Sequence, residues 1–256
     1  MRGRDVIAVA IALLAGEGAA GEDVMPDRTQ IAKRVLELCR GEDSYAAAEF
    51  VQALGEPPAV GKVYSELVFD LHDAKAVPEM VALGRAGILA MLSRAHDLAA
   101  SAPDKAANWR RAARQLSYNL ASFTWPGWGE EGLVISEADR AAGEEAARLC
   151  LRLAGELEED SSSLFASFWI VGAHQLTAGR HAGAIESFGK AAAHARSGGD
   201  GPAARMAEGY AALTETLSGA GDGAKLAAIV ADLRAEGSED ALFYADQLES
   251  VLKTLR

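Results

Sequence analysis

Apolar residues recur every three to four positions along most of this chain, in blocks broken by short runs of glycine, proline, aspartate and serine. That spacing puts one apolar face on a helix, whereas a half-buried strand needs strict alternation, and no stretch alternates for long. The blocks predict helices near 28–40, 44–54, 59–74, 78–101, 105–123, 136–158, 162–178, 182–196, 203–219, 223–236 and 239–254. Asp27, Ser136, Asp222 and Ser238 stand where an N-cap oxygen is wanted, and Pro78 suits a first helical turn. Short breaks between helices of this length imply stacked antiparallel pairs, with a compact all-α bundle as the rival arrangement.

The first twenty residues follow another pattern. Arg2 and Arg4 precede an apolar run from Val6 to Gly16 that has no polar face, and Gly18-Ala19-Ala20 follows. Basic, then apolar, then small is the order of a secretory signal peptide cut before Gly21. As a helix the run rises only about 16 Å, too short to cross a bilayer. Asp5 and Glu17 are unusual flanks for such a segment, which leaves open a buried N-terminal helix or a start at Met25. The expectation is therefore a removable segment over 1–20 and a helical domain over 27–256. The product is periplasmic or secreted if the signal works, and cytoplasmic otherwise. No later segment reaches eighteen consecutive apolar residues, so no membrane span is expected.

One segment is a repeat unit. From Phe165 to Gly198 an aromatic stands at Phe168, a small residue at Gly172 and a turn glycine at Gly179, and Ala184, Phe188 and Ala191 follow at A-x3-F-x2-A spacing. This resembles the tetratricopeptide repeat, in which two helices approach through small residues while aromatics fill the adjoining volume. Gln175 stands where that family has tyrosine, and Arg196 lies near its usual closing proline. A second unit begins near Pro202, with Gly209 at the close-contact position and Ala224 to Ala228 in its second helix. A looser one carries Tyr118-Asn119-Leu120-Ala121. The resemblance covers about 105–254 and implies an all-α, right-handed solenoid, with the last helix as its cap.

It also implies a binding surface. In this family the first helix of each pair lines a concave groove, here through Ala166, Trp169, Ala173 and Leu176. The next unit offers Ala203, Met206, Tyr210 and Leu213, and the looser unit Gln115, Tyr118 and Ser122. The lysine and asparagine of the family's clamp for acidic C-termini are replaced at two positions by Trp169 and Ala173. The expected partner is therefore a protein or peptide with an apolar or aromatic segment, anchored on Trp169 and Tyr210. The competing expectation is that the chain's own helices cover these residues.

Composition narrows the function classes further. Twenty-five basic against thirty-seven acidic residues leave a net charge of −12, which excludes a general phosphate-backbone binder, so no nucleic-acid partner is expected. The sequence contains no G-x-S-x-G, P-loop, dinucleotide fingerprint or H-E-x-x-H, and no cofactor is expected. Asp70, His72 and Asp73 adjoin in sequence, yet on a helix the aspartates share a face and the histidine points elsewhere. His174, His181 and His194 fall at separate points of the clear repeat, and Cys39 and Cys150 sit among leucines as buried thiols, or as a disulfide in an exported chain. The most distinctive stretch is Trp125-Pro126-Gly127-Trp128-Gly129-Glu130-Glu131-Gly132. Its tryptophans either tuck against neighbouring helices or offer, with Glu130 and Glu131, a ligand platform for an all-α enzyme or small-molecule binder.

Overall fold

The computed structural model describes residues 28–41 and 43–256; the expected signal segment, Asp27 and the alternative start at Met25 lie outside them. The described residues are helical with no strand, and the helices are α1 (Arg28–Gly41), α2 (Ser44–Gln52), α3 (Pro57–Asp73), α4 (Val77–Leu98), α5 (Pro103–Phe123), α6 (Glu137–Glu156), α7 (Ser161–Thr177), α8 (His181–Ser197), α9 (Gly201–Leu217), α10 (Ala224–Glu236) and α11 (Glu239–Leu255). One 3-10 turn, Pro126–Trp128, interrupts the connection between α5 and α6.

The boundaries have local causes. α3, α4, α5 and α9 each carry proline in their first turn, where its fixed φ fits the helix and its missing N–H is not needed. Ser136 and Asp139 form a reciprocal capping box on α6, and Asp160, Asp200 and Ser238 accept from backbone N–H groups at the starts of α7, α9 and α11. Asp222 stands one residue before the cap of α10 and accepts from the Ala224 N–H at 2.9 Å.

The far ends repeat a single device. At α7 the Arg180 N–H returns to the Gln175 carbonyl at 2.9 Å and the Gly179 N–H to Leu176 at 3.0 Å, with Gly179 at φ +71°. Asp200 and Gly199 close α8 in the same way, and Ala220 and Gly219 close α9. Three successive helices thus stop on a left-handed glycine that reverses the chain into the next helix.

The chain divides into two compact units. The first holds α1 to α6, with its chain running to Thr124 and again over Gly132–Leu157. α1 packs on α2, α4 on α5 and α5 on α6, whereas α2 packs chiefly on α4 and α3 chiefly on α5; α4 also touches α6. Tyr64 sits at its centre, fully buried, donating to the Ala48 carbonyl at 2.9 Å.

The second unit combines Trp125–Glu131 with Glu158–Arg256. α7, α8, α9, α10 and α11 pack in chain order, and α9 also packs on α11. Among its helical glycines, Gly172 and Gly209 make the closest approaches. A Cβ at Gly172 would lie 2.7 Å from the Phe188 ring, and one at Gly209 would collide with Leu248 of α11 and press on Ile229 of α10. Gly172 thus meets the next helix, where the sequence expects the contact, whereas Gly209 meets α11 more closely than α10.

Candidate functional site

The Trp125–Gly129 turn is built from its own residues. Trp125 is extended (φ −84°, ψ 117°), as a residue before proline must be, and Pro126 opens the 3-10 turn. Gly127 lies flat under the Trp125 ring, where any Cβ would collide with the indole. Gly129 closes the turn at φ +61°, its N–H returning to the Pro126 carbonyl at 3.1 Å, and it abuts Thr254 of α11.

This turn lies against residues that the sequence assigns to a partner. The Trp125 Nε1–H donates to the Ala173 carbonyl of α7 at 2.8 Å. The Trp125 ring lies edge-on to Trp128 at 4.8 Å and to Trp169 at 5.8 Å, and Trp128 lies 5.8 Å from Trp169. Trp169 meets Tyr210 of α9 edge-on at 5.4 Å, and Tyr210 reaches Phe188 of α8 at 5.2 Å. Such ring pairs contribute about 0.5–1.5 kcal/mol each beyond the area they bury. Trp125 and Tyr210 are 0% exposed, Trp169 3% and Trp128 8%.

All seven residues expected to hold a partner are therefore interior. Trp169, Ala173, Leu176, Met206, Tyr210 and Leu213 are buried in the second unit, as are Ala166 and Ala203, and it is the chain's own loop that meets Ala173, Trp169 and Tyr210. Tyr118 is buried in the first unit, on α5. Gln115 beside it is half-buried and donates to Asn119, which donates to Ser65 of α3, each at 3.0 Å, so this face of α5 joins two helices. In the tryptophan loop Glu130 is half-buried and Glu131 exposed. Both indoles are tucked in and form no open platform.

Helix α11, expected at 239–254, also meets the turn, a contact the sequence did not indicate. Thr254 contacts Gly129, and Val251 and Gln247 lie on the same face, three and seven residues earlier. That spacing was visible in the sequence, but nothing there showed what the face meets. Gln247 and Trp169 share a peculiarity: each is 3% exposed, and neither Gln247 Oε1 nor Trp169 Nε1 has a hydrogen-bond partner.

The remaining polar candidates are dispersed. His72 is buried with its ring 4.4 Å from Phe123, while Asp73 on the same helix is exposed. His194 stacks on Phe168 at 5.4 Å, His174 is buried, and His181 starts α8. Among the described residues no three His, Cys, Asp or Glu side chains gather as metal ligands. No disulfide joins Cys39 to Cys150; burial, chiefly, raises the pKa of the Cys39 thiol. No helix of the described residues is long and apolar enough to cross a membrane. Comparison of the chain with protein-family models, curated proteins and solved structures returns no match.

Proposed function

We propose that this chain is a binding scaffold of the tetratricopeptide kind, a right-handed stack of helix pairs whose second unit holds an apolar or aromatic segment of another protein. The observation that carries this reading is the seat of the Trp125–Gly129 turn. An aromatic segment with a single 3-10 turn lies against Trp169, Ala173 and Tyr210, anchored to main chain by one indole hydrogen bond. A groove shaped for that segment is shaped for its chemical likeness. Leu176, Met206 and Leu213 extend the apolar wall. Repeated glycine-ended helices and the glycine contacts at 172 and 209 support the family assignment. The rival reading is a small-ligand site or enzyme built on the loop, whose two indoles are buried.

The test is a peptide array of aromatic, acidic and basic segments probed with the full-length protein. Aromatic segments should bind, and Tyr210→Ala should weaken them by roughly 2 kcal/mol with the helical circular-dichroism signal intact. If no class binds, or if Trp169→Ala and Tyr210→Ala both leave binding unchanged, the groove is not the site. The pattern of residues 1–20 supports export as a separate proposal. Mass spectrometry of the protein from its native host should find Gly21 or a near neighbour first, and an intact Met1, or a start at Met25, in cytosol would refute it.

A further inference from the structure

We propose that the Trp125–Gly129 turn is an exchangeable occupant of the α7–α9–α11 groove, displaced by an indole-bearing turn of a partner protein that also satisfies Trp169 Nε1 and Gln247 Oε1. This rests on the reading of the groove as a peptide site and adds what it selects and what regulates it.

Three observations carry the proposal. The resident segment is a connection, flanked in sequence by α5 and α6 of the first unit, whose side chains are spent in the second. It seats by rings and one indole hydrogen bond, so its grip depends on indole chemistry and not on charge. And it leaves the groove's polar groups incompletely matched. Trp169 supplies a buried N–H, and Gln247, on the loop-facing side of α11, a buried amide oxygen; the turn satisfies neither. Buried polar groups in folded proteins are nearly always hydrogen-bonded, so an orphan donor on α7 and an orphan acceptor on α11 mark a mismatch with the present occupant. Peptide groups answer these needs, a carbonyl for Trp169 and an N–H for Gln247. The favoured ligand is therefore a turn with an indole beside proline or glycine and free peptide groups. It competes with the chain's own turn, so its apparent affinity is lowered by the fraction of molecules in which that turn is seated.

Gly127→Ala tests this without touching the groove wall, because the added Cβ collides with the Trp125 ring and must unseat it. The probe is a fluorescein-labelled decapeptide with the loop's own sequence, FTWPGWGEEG, against a control with both tryptophans changed to alanine; anisotropy reads binding to the full chain. The expected result is binding at least tenfold tighter to Gly127→Ala than to the unaltered protein, with the control peptide silent. Trp169→Phe in the Gly127→Ala background should cost a further five- to tenfold, the value of one hydrogen bond. Equal binding by the unaltered and opened proteins overturns the exchange but leaves the groove reading standing. Absence of binding by both overturns both. If Gly127→Ala and the milder Trp128→Ala each lose their helical signal, the turn is a fixed part of the core and the exchange is refuted. The groove reading is then judged on the unaltered protein alone.

Discussion

Gly172 and Gly189 are both helical glycines, and intrinsic propensity treats them alike: alanine should be better at each by about 1 kcal/mol. Their surroundings differ. A Cβ at Gly172 would lie 2.7 Å from the buried Phe188 ring, whereas one at Gly189 would meet nothing within 4 Å. Packing decides the first case and propensity the second. Gly172→Ala should lower stability by about 1–3 kcal/mol, the cost of overpacking a filled contact. Gly189→Ala should raise it by about 0.5–1 kcal/mol. Opposite shifts in denaturant midpoint, measured side by side, are the expected outcome; shifts of the same sign would remove Gly172 from the contact between α7 and α8.

At the scale of helices, Tyr64 binds three elements of the first unit together. It belongs to α3, its hydroxyl donates to the Ala48 carbonyl of α2, and its ring lies where a Cβ on Gly87 of α4 would be 2.5 Å away. Burial raises its pKa well above the ordinary tyrosine value. The fold therefore holds the neutral phenol, while the unfolded chain releases its proton near pH 10. Stability is fully present below about pH 10 and falls as pH rises further, because the unfolded state then binds fewer protons. Tyr244 of α11, also raised by burial, adds a loss of the same sign in the second unit. Thermal melts across pH 9 to 11.5 should show this decline, and Tyr64→Phe should flatten part of it. A Tyr64→Phe slope equal to the parent's would mean that the phenol ionises without disturbing α2 and α4.

These elements were legible beforehand because their causes are local. Helix spacing, Ser136, Ser238, Pro78 and Gly179 act within a few residues of themselves, and the predicted boundaries fall within three residues of those found. The end of α4 shows the limit. It was expected at 101 but lies at Leu98, because Pro103 opens α5 and pushes Ala102 out of the helical region, to φ −150° and ψ 69°. The site was half legible. Tryptophans at 125 and 128 and the aromatics Trp169 and Tyr210 were visible as separate features. That the first pack on the second depends on contacts such as a hydrogen bond across 48 positions, and no local pattern encodes it.

Across the whole chain, two electrostatic effects oppose each other, and salt tells them apart. Net charge is −12, and like charges on a compact body repel. Against this stand surface ion pairs, mostly single and exposed, such as Lys105–Glu56 and Lys190–Glu186. Exposed pairs contribute about 0–1 kcal/mol each, many nothing measurable. Two arrangements are larger. Arg205 reaches both Glu208 and Asp232 while Arg196 also meets Glu208, linking α8, α9 and α10; Arg234 holds Asp246 at 2.9 Å and Glu249 at 2.7 Å, linking α10 to α11. Both are solvent-exposed and screened at short range. Raising ionic strength from about 0.01 M to 0.15 M shortens the screening length from roughly 30 Å to 8 Å, which erases long-range repulsion while leaving contacts of 3 Å partly intact. Repulsion should lose more than the pairs do, so the melting temperature should rise by a few degrees over that range. Arg234→Gln, which makes the net charge one unit more negative and removes the α10–α11 link, should steepen the rise. A melting temperature that falls with added salt would show instead that the ion-pair networks outweigh the net charge.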